Sequence, residues 1–178
     1  MNPPALRSII SWLITLMVPV ALILTAVRAM FTPLYLQYEY NAPGFPADRY
    51  GFTTQDRLYW SQIALDYLVN DANISFLGDL RFQDGTPVYN ERELRHMVDV
   101  KNAVGIVFIT WYSLLGVLLA LGVWAWRGGW WDDFCRGLGR GGWLTVFFIV
   151  TILLFVMFAF SGFFVAFHNV FFAPGTCM

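Results

Sequence analysis

The chain has 178 residues, of which 58% are apolar and only 13% charged, with a formal net charge of −1. A soluble domain carries roughly 45–50% apolar and about 25% charged residues, so much of this surface must face lipid, as the mean hydropathy of +0.57 also requires. The few basic residues are scattered, which excludes a nucleic-acid binder, and two cysteines, Cys135 and Cys177, are too few for a disulfide framework.

Residues 8–27 carry no charge and are bounded by Arg7 and Arg28. At about 1.5 Å per residue a helix of this length spans a bilayer core of about 30 Å, so the first transmembrane helix is placed at 8–29. A cleaved signal peptide is the weaker reading, because Ala26-Val27-Arg28-Ala29 is a poor cleavage site. Pro19 inside the run predicts a kink that a neighbouring helix must help satisfy.

Residues 30–101 form the large polar segment. Tyr35, Tyr38, Tyr40, Pro43, Gly44 and Pro46 read as an irregular aromatic loop. Thr53-Thr54-Gln55-Asp56 has the form of a capping box, and Trp60, Ile63, Ala64, Tyr67 and Leu68 follow at helical spacing. This predicts an amphipathic helix with Asp56, Arg57, Ser61, Gln62, Asp66 and Asn70 on its polar face. Asp84-Gly85, between Leu80-Arg81-Phe82 and Pro87-Val88-Tyr89, predicts a short β-hairpin. Asn73-Ile74-Ser75 matches a glycosylation acceptor, a pattern common by chance.

The hairpin leads into the densest group of ionisable side chains in the chain, from Tyr89 to Lys101. Asn90 is placed to cap a helix and Glu93 to reach back to the cap. On that helix His96 shares a face with Arg92, Glu93 and Asp99, an arrangement that fixes the tautomer of an imidazole. Ordinary surface pairs, Glu91 with Arg95 and Arg95 with Asp99, are the plainer reading.

The second uncharged run, 102–126, is placed as transmembrane helix two. Residues 127–140 read as a flexible turn rather than a phosphate-binding loop, since no strand precedes the glycines and no Gly-Lys-Ser/Thr follows. Trp124, Trp126, Trp130, Trp131 and Trp143 around it suit a membrane interface. The third apolar run, 141–167, is transmembrane helix three, in which Gly162 and Ala166 form a small-xxx-small pair. Residues 168–178 are a tail. Arg7 and the three arginines of 127–140 fall on one side of three crossings, which the positive-inside rule makes cytoplasmic. The 30–101 segment, with ten acidic and six basic residues, is then extracytoplasmic. His96 and His168, the two histidines of the chain, both arrive at the outer interface.

The sequence thus predicts an all-α integral membrane protein with three transmembrane helices and an extracytoplasmic segment of helices and a β-hairpin. Tyr89-Asn90-Glu91-Arg92-Glu93-Leu94-Arg95-His96-Met97-Val98-Asp99-Val100-Lys101 and Phe167-His168-Asn169-Val170-Phe171-Phe172-Ala173-Pro174-Gly175-Thr176 resemble the two signature blocks of the bacterial lipoprotein intramolecular transacylases. The layout is similar along nearly the whole chain. The resemblance implies a cell-membrane enzyme whose substrate is a diacylated lipoprotein within membrane lipid. It moves an acyl chain from the sn-2 ester of the glyceryl group to the N-terminal cysteine amine and needs no cofactor. It further implies His96 and His168 as functional residues, with Asp99 and Lys101 in the first block. In the family the second block continues through Trp to a fourth membrane helix, whereas here Cys177 and Met178 follow. That departure suggests a C-terminally shortened chain.

Moving an acyl group from an ester to an amine requires proton handling. The amine, with a reference pKa of about 7.7–8.0, must be neutral, and the departing oxygen needs a proton; an imidazole performs either task. One histidine is expected to accept and the other to donate, with Asp99 or Glu93 orienting His96; attack by a histidine to form a transient acyl-imidazole is a variant. Weaker readings are a metal held by the two histidines with Asp99 or Glu93, and Cys177 as an acyl nucleophile. A non-catalytic membrane scaffold or assembly subunit is the alternative from another class.

Overall fold

The computed structural model describes residues 4–171. Its helices in chain order are α1 (Pro4–Met30), α2 (Pro33–Tyr40), α3 (Thr54–Val69), α4 (Ser75–Gly78), α5 (Glu91–Gly128) and α6 (Trp131–Phe171), and among the described residues no strand forms. Helices α1, α5 and α6 are long and apolar enough to cross a membrane. Only 6% of the most apolar stretch of α5 and 11% of that of α6 is buried by protein. Side chains such as Ile109, Leu119 and Phe158, exposed by 70%, 71% and 84%, therefore need lipid around them. The chain divides into two compact units, one built on 4–26 and 107–170, the other on 27–106.

In the first unit α1 and α6 meet through glycine. A Cβ on Gly137 would stand 2.7 Å from the Ser11 carbonyl oxygen, and one on Gly141 would stand 2.5 Å from Val18 Cβ and 3.0 Å from the Thr15 carbonyl oxygen. The two glycines are four residues apart, on one face of α6, and any side chain there would force the helices apart. Thr15 is four residues before Pro19, so its carbonyl lacks the usual intrahelical donor, and Gly141 covers that turn of α1. Thr15 Oγ1 donates to the Ser11 carbonyl at 2.9 Å and also approaches the Gly137 carbonyl at 3.3 Å. Ser11 Oγ donates to the Asp133 carbonyl at 2.7 Å. Around this seam Ile10, Ile14, Val18, Ala125, Trp130 and Phe134 form a buried cluster. Further along, Trp111 Nε1 of α5 donates to Thr25 Oγ1 of α1 at 2.9 Å.

The expected flexible turn over 127–140 is instead a two-residue connection. Gly129 takes a positive φ of 68°, and Trp130 N–H donates to the Ala125 carbonyl at 3.0 Å, the closure of a Schellman motif. Trp130 and Ala125, 2% and 0% exposed, supply the apolar contact that accompanies it. The Trp130 carbonyl then accepts from Asp133 and Phe134, opening α6. Of the glycines read as loop residues, Gly128, Gly137 and Gly139 are helical, and Gly137 is a packing position. A Cβ on Gly162, the expected small-residue contact, meets no described atom within 4 Å.

In the second unit the expected aromatic loop begins as a helix. Thr32 caps α2, accepting from Tyr35 N–H, and Pro33 occupies the first helical position, where its missing N–H costs nothing. Its last residue covers part of the polar face foreseen for α3. Tyr40 and Ser61 share a hydrogen bond of 2.7 Å, and the Arg57 guanidinium lies over the Tyr40 and Phe45 rings at 5.3 and 4.7 Å. The capping box of α3 forms as expected between Thr53 and Asp56. Tyr67, one of the expected apolar residues, is buried, together with Leu65, which the spacing had not singled out.

The expected hairpin does not form strands. Phe82 N–H donates to the Thr86 carbonyl at 2.9 Å and Val88 N–H to the Leu80 carbonyl at 3.2 Å, with one isolated antiparallel bridge, Arg81 to Pro87. Pro87 has no N–H to continue a ladder, so the Asp84-Gly85 turn closes a loop rather than opening a sheet.

Candidate functional site

Helix α5 starts at a reciprocal cap. Asn90 Oδ1 accepts from the N–H groups of Arg92 and Glu93, each at 3.0 Å, while Glu93 Oε2 accepts from Asn90 N–H at 2.9 Å. The carboxylates of Glu91 and Glu93 in the first turn also complement the positive end of the helix. From there α5 continues unbroken through His96, Asp99 and Lys101 into the apolar run. Because the His96 segment and that run are one helix of 38 residues, the histidine is carried on a continuous rod about 9 Å before Asn102.

Lys101 fixes this rod against the rest of its unit. Its Nζ donates to the Ala72 carbonyl at 2.5 Å and Asn70 Oδ1 at 3.3 Å, and it sits 4.1 Å from the centre of the Tyr67 ring. Tyr67 is 2% exposed, and burial pushes its phenol above the ordinary value of 10.0. Asn70 Oδ1 also accepts from Ala72 N–H at 2.9 Å, ordering the segment that receives the lysine. Earlier on α5, Leu94 packs against Gly78 at the end of α4. Lys101 is thus a tether.

His96 is partly buried, and Asp99 is exposed. Glu93 is committed to the cap, which leaves Asp99 as the carboxylate one helical turn from His96 with no such duty. Glu91 pairs with Arg95 at 3.9 Å across an exposed surface, an interaction of little energetic weight. Tyr89, which the sequence did not single out, is partly buried, and its phenol is pushed up by burial and by the Glu93 carboxylate. It therefore remains a hydrogen-bond donor at neutral pH; its place just before the cap residue was the available signal. Helix α6 includes position 168 in its final turn, but the His168 side chain lies outside the described residues, as do Cys177 and the rest of the tail. Among the described residues no group of three His, Cys, Asp or Glu side chains could hold a metal ion.

Three long apolar helices define an integral membrane protein. The chain belongs to the lipoprotein intramolecular transacylase family, whose model matches residues 10–176, a range that takes in both histidine-bearing blocks. It is also 26% identical over 172 residues to an uncharacterised protein of Aquifex aeolicus (strain VF5), covering 95% of this chain and 75% of that one. No solved structure matches.

Proposed function

We propose that this chain transfers the sn-2 acyl group of a diacylglyceryl lipoprotein to the α-amine of that lipoprotein's own N-terminal cysteine, leaving an N-acyl lyso form. The observation that carries this reading is the family match over residues 10–176. In the reaction the neutral amine attacks the ester carbonyl, the carbonyl carbon–oxygen bond to glycerol breaks, and the departing oxygen takes a proton. One proton leaves the nitrogen and one reaches the oxygen, so no net proton, reductant or nucleotide is consumed. His96 and His168 divide the two transfers between them, one imidazole accepting a proton and the other donating one. Asp99 orients His96, Glu93 holds the start of its helix, and Lys101 holds the helix against residues 67–72.

The membrane arrangement belongs to the same proposal. Spans at 8–29, 102–126 and 141–167 leave 30–101 outside and 127–140 inside, with both histidines at the outer interface. The acyl chains remain among apolar side chains while the glyceryl ester and amine meet the imidazoles.

The test is mass spectrometry of the N-terminal lipopeptide of a diacylated lipoprotein co-expressed with the chain. A mass-neutral conversion, with fragment ions placing one acyl group on nitrogen, supports the proposal. A free amine on an intact diacylglyceryl group, despite verified membrane insertion, would return the chain to a non-catalytic scaffold.

A further inference from the structure

A polar cleft of about 380 Å³ lies within the first unit, between the start of α1 and the first turns of α6, lined by Arg7, Ser8, Ser11, Asp133, Arg136 and Arg140. Three guanidinium groups and one carboxylate give it a formal charge of +2. Asp133 is engaged by Arg136. Arg140 Nη2 donates to Ser11 Oγ at 2.6 Å, and its guanidinium lies 4.1 Å over the Trp12 ring, so its direction is fixed from two sides. Among the described residues the buried Nε atoms of Arg7 and Arg140 have no hydrogen-bond acceptor. A buried, charged donor without an acceptor is costly, and here two of them belong to side chains that line one cavity. An anion with several acceptor oxygens would offset the net positive charge of this lining.

We propose that the cleft binds the phosphate group of an anionic phospholipid. Phosphate suits the planar donor forks of arginine, and the Ser8 hydroxyl on the α1 wall supplies a further donor. The surroundings select a lipid over a soluble phosphate. Trp12 and Trp143 are 55% and 78% exposed, as residues at a membrane interface are. Along the same helix as Arg7, Ile9, Leu13 and Leu16 present apolar surface to the exterior, which acyl chains attached to the phosphate would cover. The bound headgroup would join α1 to α6 at the end of the seam formed by Gly137 and Gly141, independently of the transfer chemistry.

The experiment is native mass spectrometry of the full chain released from detergent containing phosphatidylglycerol, phosphatidylcholine or inorganic phosphate. Arg7→Gln is the informative variant, because among the described residues no side-chain hydrogen bond of Arg7 would be lost; Arg7→Lys and Arg49→Gln are controls. The expected result is a retained phosphatidylglycerol adduct, with phosphatidylcholine held more weakly. Its affinity should fall roughly tenfold in Arg7→Gln, recover partly in Arg7→Lys and remain unchanged in Arg49→Gln. Equal adduct levels in the parent chain and in an Arg7→Gln, Arg136→Gln double variant would overturn the proposal. So would arginine-dependent retention of inorganic phosphate with no arginine-dependent lipid adduct. Unchanged elution and melting of Arg7→Gln without lipid separates loss of the site from loss of the fold.

Discussion

The ammonium of Lys101 and the carbonyl of Ala72 are joined by a hydrogen bond of 2.5 Å across 29 residues of sequence. The bond ties α5, five residues after His96, to the segment that follows α3. A charge-assisted hydrogen bond with a face-on aromatic ring behind it holds a position as well as an energy. Lys101→Met keeps the aliphatic stem and removes both interactions. It should destabilise this unit by about 1.5–3 kcal/mol. Amide hydrogen exchange at residues 70–72 should speed up while the apolar core of α5 stays protected.

The seam between α1 and α6 makes a graded prediction. Gly141→Ala and Gly137→Ala place a methyl group against Val18 and the Ser11 backbone, and should cost about 1–3 kcal/mol each. Gly139 and Gly142 face open space, so alanine there should be neutral or stabilise by up to about 1 kcal/mol through helix propensity. Thermal melting of the four variants in detergent, followed by circular dichroism, separates the two pairs. Similar losses in all four would contradict the packing role.

Two exposed carboxylates set an acid limit on the polar unit. The Thr53 hydroxyl and then its N–H hold the Asp56 carboxyl below its ordinary 3.8, and Thr86 does the same for Asp84. A lowered folded-state pKa means that the stabilisation is fully present above about pH 4 and is lost as pH falls through the folded value. Asp56→Asn and Asp84→Asn should each be less stable than the parent chain at pH 6. The difference should narrow on acidification below about pH 4, as read from melting curves at each pH.

The two carboxylates near His96 are expected to differ in kind. Glu93→Gln retains an acceptor for the Asn90 N–H and should leave the transfer rate within about twofold. Asp99→Asn should lower kcat by roughly tenfold or more with little change in KM, as expected for a group that orients a proton carrier. Initial rates on a synthetic diacylglyceryl lipopeptide distinguish the two. Equal losses would assign Asp99 only to folding.

The elements legible in the sequence were those specified by short-range chemistry. The apolar runs announced three helices able to cross a membrane, and the caps at Thr53 and Asn90 formed as their side chains require. What depended on distant partners was not legible. Gly137 was read as part of a loop and Gly141 only as the start of a span, and it is the neighbouring α1 that makes both packing residues. Tyr35, Tyr38 and Tyr40 with the prolines and glycine after them suggested irregular chain, yet Thr32 and Pro33 at the first helical position start α2. The Asp84-Gly85 turn was correctly placed, but Pro87 denied it a ladder. At the candidate site Asn90, Glu93 and the placement of His96 on a helix were readable. The tether from Lys101 was not, because its acceptors lie 29 and 31 residues away.

The central claim is that His96 and His168 pass the protons while an acyl group moves between two atoms of one substrate molecule. It is tested most directly with a diacylglyceryl lipopeptide whose sn-2 chain alone is deuterated, mixed with an equal amount of a fully unlabelled lipopeptide of different peptide mass. The full chain in nanodiscs should place the deuterated acyl group on the amine of its own peptide only, and His96→Ala and His168→Ala, inserted and folded, should form no amide. Deuterated acyl groups on the other peptide, label remaining on glycerol, or undiminished amide formation by both histidine variants would contradict it.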